Sequence, residues 1–303
     1  MNEKQSKLVS AKEAISTIGD GSKIAIAGSL IRRHPMALVH ELIRQNKKSL
    51  TLYGWNNSID FDMLIGCGLV KEAQSSYVGM ANVGLAKNFR RAMQEGMIRF
   101  VEQSETTAMD AFKAGSKGLT FAISKTPLHN GMRINEEFKH EIICPFTGEK
   151  YVAVEAYRPD VAIMHAHCAD KYGNVQLDPK RMMDNETDIF LVKSAKKVIV
   201  SVEQIVSEDT IIQNPNLTVL PRLFVDYVVE APYGAHPNSC DTRYDFDIEH
   251  ARYYQECSNT AEGFKQYIQE YILDTKDWQG YLDKIGMEQL FKITRNRRGR
   301  DHE

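Results

Sequence analysis

Chemistry is suggested first at Gly28-Ser29-Leu30-Ile31-Arg32-Arg33, where a glycine and two arginines lie between a short apolar run and a helical pattern. Glycine lets backbone N–H groups approach a ligand, and arginines beside a helix start suit a phosphate or carboxylate. The same residues also fit a plain strand-to-helix turn with surface arginines, because they form neither a Walker A loop nor a GxGxxG fingerprint. Further along, His165 and His167 alternate on one strand next to Cys168, so that two imidazoles would share a face. No further ligand stands nearby, and no metal is expected there. His236, in APYGAHP, follows an apolar run and the flexible Gly234, which predicts a place at the carboxyl-end rim, either touching substrate or fixing a loop. Glu203, in Ser201-Val202-Glu203-Gln204, is expected to hold a loop rather than to attack a substrate.

These residues need a scaffold, and the apolar pattern supplies one. KIAIAG (residues 23–28) reads as a strand, and Pro35 opens HPMALVHELIRQ with Met36, Val39, Leu42 and Ile43 at helical spacing. The alternation continues with SLTLYGW, SSYVGM and MIRFVEQ as strands, and DFDMLIGCG and KNFRRAMQEG as helices. TTAMDAFKAG then reads as a helix, and LTFAIS, YVAVEA, VAIMHAH, KVIVSV and LFVDYVVEAP as strands. Short β-rich runs taking turns with helices imply an α/β fold, a mostly parallel open sheet with helices on both faces. In such a sheet ligands gather at the carboxyl ends of the strands, where the 28–33 turn must lie. From about residue 243 the pattern turns to helices rich in Tyr, Gln, Glu and Lys, a C-terminal layer (243–303) on the same domain. The stretch 125–150 is the most irregular.

Composition excludes several partners. The chain has 303 residues, 43% of them apolar, with 38 basic against 40 acidic side chains and a formal net charge of −2. No global field would draw it to nucleic acid or to an anionic membrane. No run approaches a membrane span and MNEKQSKLVS has no apolar signal core, so a soluble cytoplasmic protein is expected. The five spread cysteines, Cys67, Cys144, Cys168, Cys240 and Cys257, are expected to be free thiols, and Arg295, Arg297, Arg298 and Arg300 a solvated tail.

Six blocks in order, GSLIRRHPMALVHELIRQ, NFRRAMQEG, CPFTGEK, RPDVAIMHAHCADKYGNVQ, SVEQIV and VEAPYGAHP, resemble the A (α) subunits of class I CoA-transferases of the glutaconate CoA-transferase type, over about residues 8–275. That resemblance implies a homologous β subunit as partner, with the acyl-CoA at the interface. It also implies a glutamyl-CoA thioester formed on the partner's glutamate, so that CoA is a co-substrate and no other cofactor is needed. It puts the Gly28-Ser29-Leu30 turn close to that site, so Gly28, Ser29, Arg32 and Arg33 are the candidate substrate contacts, with His236 at the rim as a contact or a loop-fixing residue. Relatives usually read GGF at the turn; Gly28-Ser29-Leu30 departs from this and opens a role for the Ser29 hydroxyl. Glu105 aligns with a glutamate that a related ring-opening CoA-thioester hydrolase is said to use as a base. The alternative function is therefore hydrolysis or ring opening with Glu105 as general base, against a Glu105 that merely favours a helix N-terminus. A ligand sensor is a third reading, which the absence of a basic domain or a DNA-binding helix pair disfavours.

Overall fold

The computed structural model describes residues 5–180 and 186–300; the side chains of His129 and of residues 295–300, which include the four arginines expected as a tail, lie outside the described set. The chain opens with α1 (Ala11–Ser16), β1 (Lys23–Ile26), α2 (Met36–Arg44), β2 (Leu50–Tyr53), α3 (Ile59–Gly66) and β3 (Val70–Ser75). It continues through α4 (Lys87–Gln94), β4 (Arg99–Glu102), α5 (Glu105–Ser116), β5 (Phe121–Ser124), β6 (Glu141–Ile143) and β7 (Lys150–Glu155). Then come β8 (Val161–Asp170), β9 (Val175–Gln176), α6 (Glu186–Ser194), β10 (Lys197–Val206), α7 (Glu208–Gln213), β11 (Thr218–Leu220) and β12 (Tyr227–Glu230). The last part is helical: α8 (Ile248–Cys257), α9 (Ala261–Ile268), a π-helical turn over Gln269–Leu273, α10 (Trp278–Ile285) and α11 (Met287–Arg300).

The main sheet runs β12-β10-β8-β1-β2-β3-β4 with every one of these pairs parallel. Strand β8 is long enough to pair with β1 over Val161–Ile163 and, on the same side, with the antiparallel β9 through Cys168 and Ala169. Alternation sorts the core onto two faces, as the pleat requires. Ile24 and Ile26 join α2, α3 and the C-terminal helices on one face, while Ala25 and Ala27 join α5 and α6 on the other. Helices therefore cover both faces of a mostly parallel sheet. The order reverses at β1: β2, β3 and β4 follow on one side, and β8, β10 and β12 on the other. That switch point is where a parallel sheet opens a crevice at its carboxyl edge.

Three expectations are corrected. LTFAIS and YVAVEA are strands, but β5 and β6 both pair antiparallel with β7 in a separate three-stranded sheet that packs Val152 and Val154 onto the α5 face. The third strand is VKEAQS rather than SSYVGM; its polar residues hide the β pattern, and Gln74 and Ser75 are nonetheless buried in it. Within 125–150, expected to be the most irregular stretch, three short 3-10 turns and β6 stand in place of one long loop. The five cysteines are free, and among the described residues no helix is long and apolar enough to cross a membrane.

Candidate active site

The turn after β1 is built by its own backbone. Ser29 N–H donates to Arg32 O (3.0 Å) and Arg32 N–H to Ser29 O (2.9 Å), which puts Leu30 at φ 55°. Gly28 sits at φ 113°, and a Cβ there would meet His34 N and Nδ1 at 2.8 Å, so glycine is required by both conformation and space. Two neighbouring segments pin the tip. Leu30 N–H donates to Asn56 O (2.9 Å), beyond β2. Ser239, beyond β12, donates through its N–H (2.8 Å) and Oγ (3.1 Å) to Ile31 O, and its carbonyl accepts from Arg33 N–H (2.8 Å).

The two arginines part company. Arg33 is only 4% exposed; its Nη2 donates to Asp188 Oδ2 at 2.8 Å, while Asp188 Oδ1 accepts from Gly28 N–H at 3.0 Å. Asp188 thus ties both ends of the turn to the first residues of α6. Arg33, expected to reach substrate, has its guanidinium buried against an acid of its own chain. Arg32 remains partly exposed, with Nε 3.5 Å from Asp241 Oδ1. Ser29 Oγ is buried, and among the described residues it has no hydrogen-bond partner. An unpaired buried hydroxyl costs about 1–3 kcal/mol unless something else satisfies it.

Glu105 is the first residue of α5, whose cap is Ser104: Ser104 Oγ accepts from Thr107 N–H, and Thr107 Oγ1 accepts from Ser104 N–H. The Glu105 side chain reaches Asn56, whose Nδ2 donates to Oε1 at 2.7 Å. Since Asn56 also holds Leu30, one buried asparagine joins Glu105 to the turn. Sequence reasoning singled out both ends of this link but missed Asn56. An amide just beyond a strand's carboxyl end was the available signal.

The histidines serve the framework. His165 contacts Ser201 Oγ through Nδ1 (2.9 Å) and Glu203 Oε1 through Nε2 (2.6 Å). The same carboxylate accepts from Tyr244 OH (2.7 Å), Gly234 N–H (3.2 Å) and Tyr233 N–H (2.8 Å), so Glu203 anchors the loop after β12. Cys240 completes a group of three potential metal ligands with His165 and Glu203, their donor atoms within 4.8 Å of one another. With Glu203 saturated by four hydrogen-bond donors, the set fits a loop anchor better than a cation. His167 does not join His165; its Nε2 meets Asp241 O at 2.6 Å. His236 is corrected from the rim to the interior: it is fully buried, with Nδ1 2.7 Å from Tyr281 OH and Nε2 3.0 Å from Asp247 Oδ2. The C-terminal layer that supplies Asp247 and Tyr281 closes over it.

These buried groups set an acid limit. Burial lowers His167 to about 4, and burial together with the charge of His236 lowers His250 to about 3. Burial would raise Asp247, but its hydrogen bond and ion pair with His236 hold it at about 2. The unfolded chain binds protons on these histidines near pH 6.5 and the folded chain does not. Stability is therefore highest above that value and falls as pH drops toward 4, by about 1.4 kcal/mol per pH unit for each such histidine. Urea midpoints measured from pH 7 to pH 4 should decline steeply, and His250→Phe should flatten the decline.

Comparison with known proteins sets this geometry in context. A family model described as coenzyme A transferase matches residues 8–231. The A subunit of glutaconate CoA-transferase from Acidaminococcus fermentans is 33% identical, with 95% of this chain and 94% of the relative covered. The crystal structure of that enzyme superposes with a TM-score of 0.91 at 32% identity, covering 95% of each chain. An uncharacterised protein from Archaeoglobus fulgidus is 35% identical over 95% of this chain, which spans 64% of that relative's length. A cholesterol ring-cleaving hydrolase subunit from Rhodococcus jostii is 28% identical, with 95% of this chain and all of the relative covered.

Proposed function

Because this chain belongs to the coenzyme A transferase family, we propose that it is the α subunit of a cytoplasmic heteromer that moves CoA from an acyl-CoA to a small carboxylic acid. In this reading a homologous β subunit provides the nucleophile. Its glutamate attacks the thioester carbonyl and expels CoA as thiolate, which then attacks the resulting anhydride at the glutamyl carbonyl. The acyl group leaves as a carboxylate and a glutamyl-CoA thioester remains. An acceptor carboxylate reverses the sequence, so splitting one hard transfer into easier steps. CoA is a co-substrate, and the route uses no metal or resident cofactor.

The observation that carries this assignment is the Gly28–Arg33 turn at the sheet's switch point, with the buried Ser29 Oγ lacking a partner among the described residues. A fixed hydroxyl and backbone N–H groups are the donors that an oxyanion at the thioester carbon requires. Arg32, the partly exposed arginine, suits the anionic end of a substrate. Arg33 and His236 then act by positioning, through Asp188 and through the loop of Ser239.

A second reading has its own support. Asn56, whose carbonyl holds Leu30, also donates to Glu105 Oε1 at 2.7 Å, and this link to the turn suits a general base for hydrolysis or ring opening of a CoA thioester. Borohydride trapping of the co-expressed αβ complex with a panel of acyl-CoAs separates the two. Transfer predicts a reduced glutamyl adduct on the β subunit and turnover that survives in Glu105→Gln. Thioester consumption without an adduct, abolished in Glu105→Gln, would replace it with the hydrolase.

A further inference from the structure

The C-terminal ends of α2, α3 and α4 lie at the edge of the sheet where the strands begin, opposite the Gly28–Arg33 turn. Against them packs α9, and between these helices the structure leaves a cavity of about 660 Å³. Its floor is apolar, made by Ile43, Ile65, Leu69, Ala92, Phe264 and Ile268, all buried. Gly66 keeps that floor in place, since a Cβ there would meet the Phe264 ring at 2.7 Å and the Asn88 side chain at 2.8 Å. Cys67 adds a neutral wall; burial pushes its thiol up to about 12. The volume lies within the usual range for small-molecule sites, which are mostly apolar with a few polar groups at one end.

The rim carries that polar end, and it is cationic. Arg44, Arg91 and Lys265 line it together with one acid, Glu95. Arg91 donates to neutral acceptors, Asn88 Oδ1 (2.9 Å) and Ser258 O (2.8 Å), and among the described residues no ion pair to it is found. Arg44 is held by the carbonyls of Ile272, Thr275 and Asp277, with Glu41 at 3.4 Å as its acidic neighbour. Lys265 is exposed, and among the described residues it forms no ion pair. Two guanidinium groups held by the chain and the exposed Lys265 ammonium around an apolar basin favour a ligand with a hydrocarbon body and one anionic end.

We propose that this cavity binds an amphipathic monocarboxylate, its alkyl chain on the apolar floor and its carboxylate at the Arg44–Arg91–Lys265 rim. The site is separate from the turn and does not depend on the transfer reaction. Sodium decanoate titrated calorimetrically into the full chain, in its assembly as purified, tests it. One saturable site per chain is expected. Butyrate, shorter by six methylenes, should bind at least about a hundredfold more weakly. Lys265→Glu should weaken decanoate by about tenfold through charge reversal. Ala261→Trp, on the exposed first turn of α9, should abolish binding without moving the unfolding midpoint. Uptake that does not saturate, equal affinity for butyrate, or binding unchanged in both variants would overturn the proposal.

Discussion

Asp188→Ala should cost about 3–5 kcal/mol of folding free energy, the usual penalty for removing one partner from a buried ion pair. The carboxylate is 2% exposed and accepts from Gly28 N–H and Arg33 Nη2 at once, so its loss removes the acceptor of a buried backbone donor and the acid 2.8 Å from a buried guanidinium. Equilibrium urea unfolding measures the effect. The conservative Asp188→Asn keeps an oxygen for Gly28 but meets Arg33 without charge, and should fall between the wild type and alanine. Pairing Asp188→Asn with Arg33→Met removes the stranded charge, so the double variant should be more stable than the sum of the single losses predicts. If the effects simply add, the two side chains are not coupled and the turn is held by other contacts.

Glu203→Ala should be of similar size, and its effect should travel. The carboxylate accepts from His165, Tyr244, Tyr233 N–H and Gly234 N–H, four donors that alanine leaves without an acceptor. With each stranded buried donor costing about 1–3 kcal/mol and water satisfying part of the set, a loss of about 3–5 kcal/mol is expected. The loop it anchors leads to Ser239, which grips Ile31 and Arg33. Hydrogen exchange should therefore quicken at the Tyr233 and Gly234 amides and also at Arg33, in a different part of the chain. Faster exchange confined to residues 233–234 would show that the anchor does not support the turn.

Both predictions rest on partners far apart in the sequence, and this marks how much the sequence could tell. The alternation of β-rich runs with helices, the two-faced core and the Gly28 turn were readable because each depends on local period or on one residue's backbone freedom. Glu105 at the first turn of α5 and the loop-holding role of Glu203 were likewise readable from the types of their neighbours. Asp188 was not, because an acid in a helix's first turn looks the same whether it meets solvent or a buried arginine at position 33. His236 was misplaced for a related reason. A histidine after a strand and a glycine reads as rim, until α8 and α10, with Tyr281, fold back over it. Strands β5 and β7 carry ordinary β patterns, and nothing in a period of two says which sheet a strand joins.

The order of strands in the main sheet also bears on how the chain assembles. β1 to β4 are consecutive and can pair as they leave the ribosome, but the other edge of β1 gains its neighbour only when residues 161–163 arrive. Until then the nascent sheet presents an open apolar border, the kind of edge to which a second chain can add. Slower synthesis between residues 102 and 161 should therefore lengthen the time this border stays open, and chaperone cover during that interval should raise the yield of native protein.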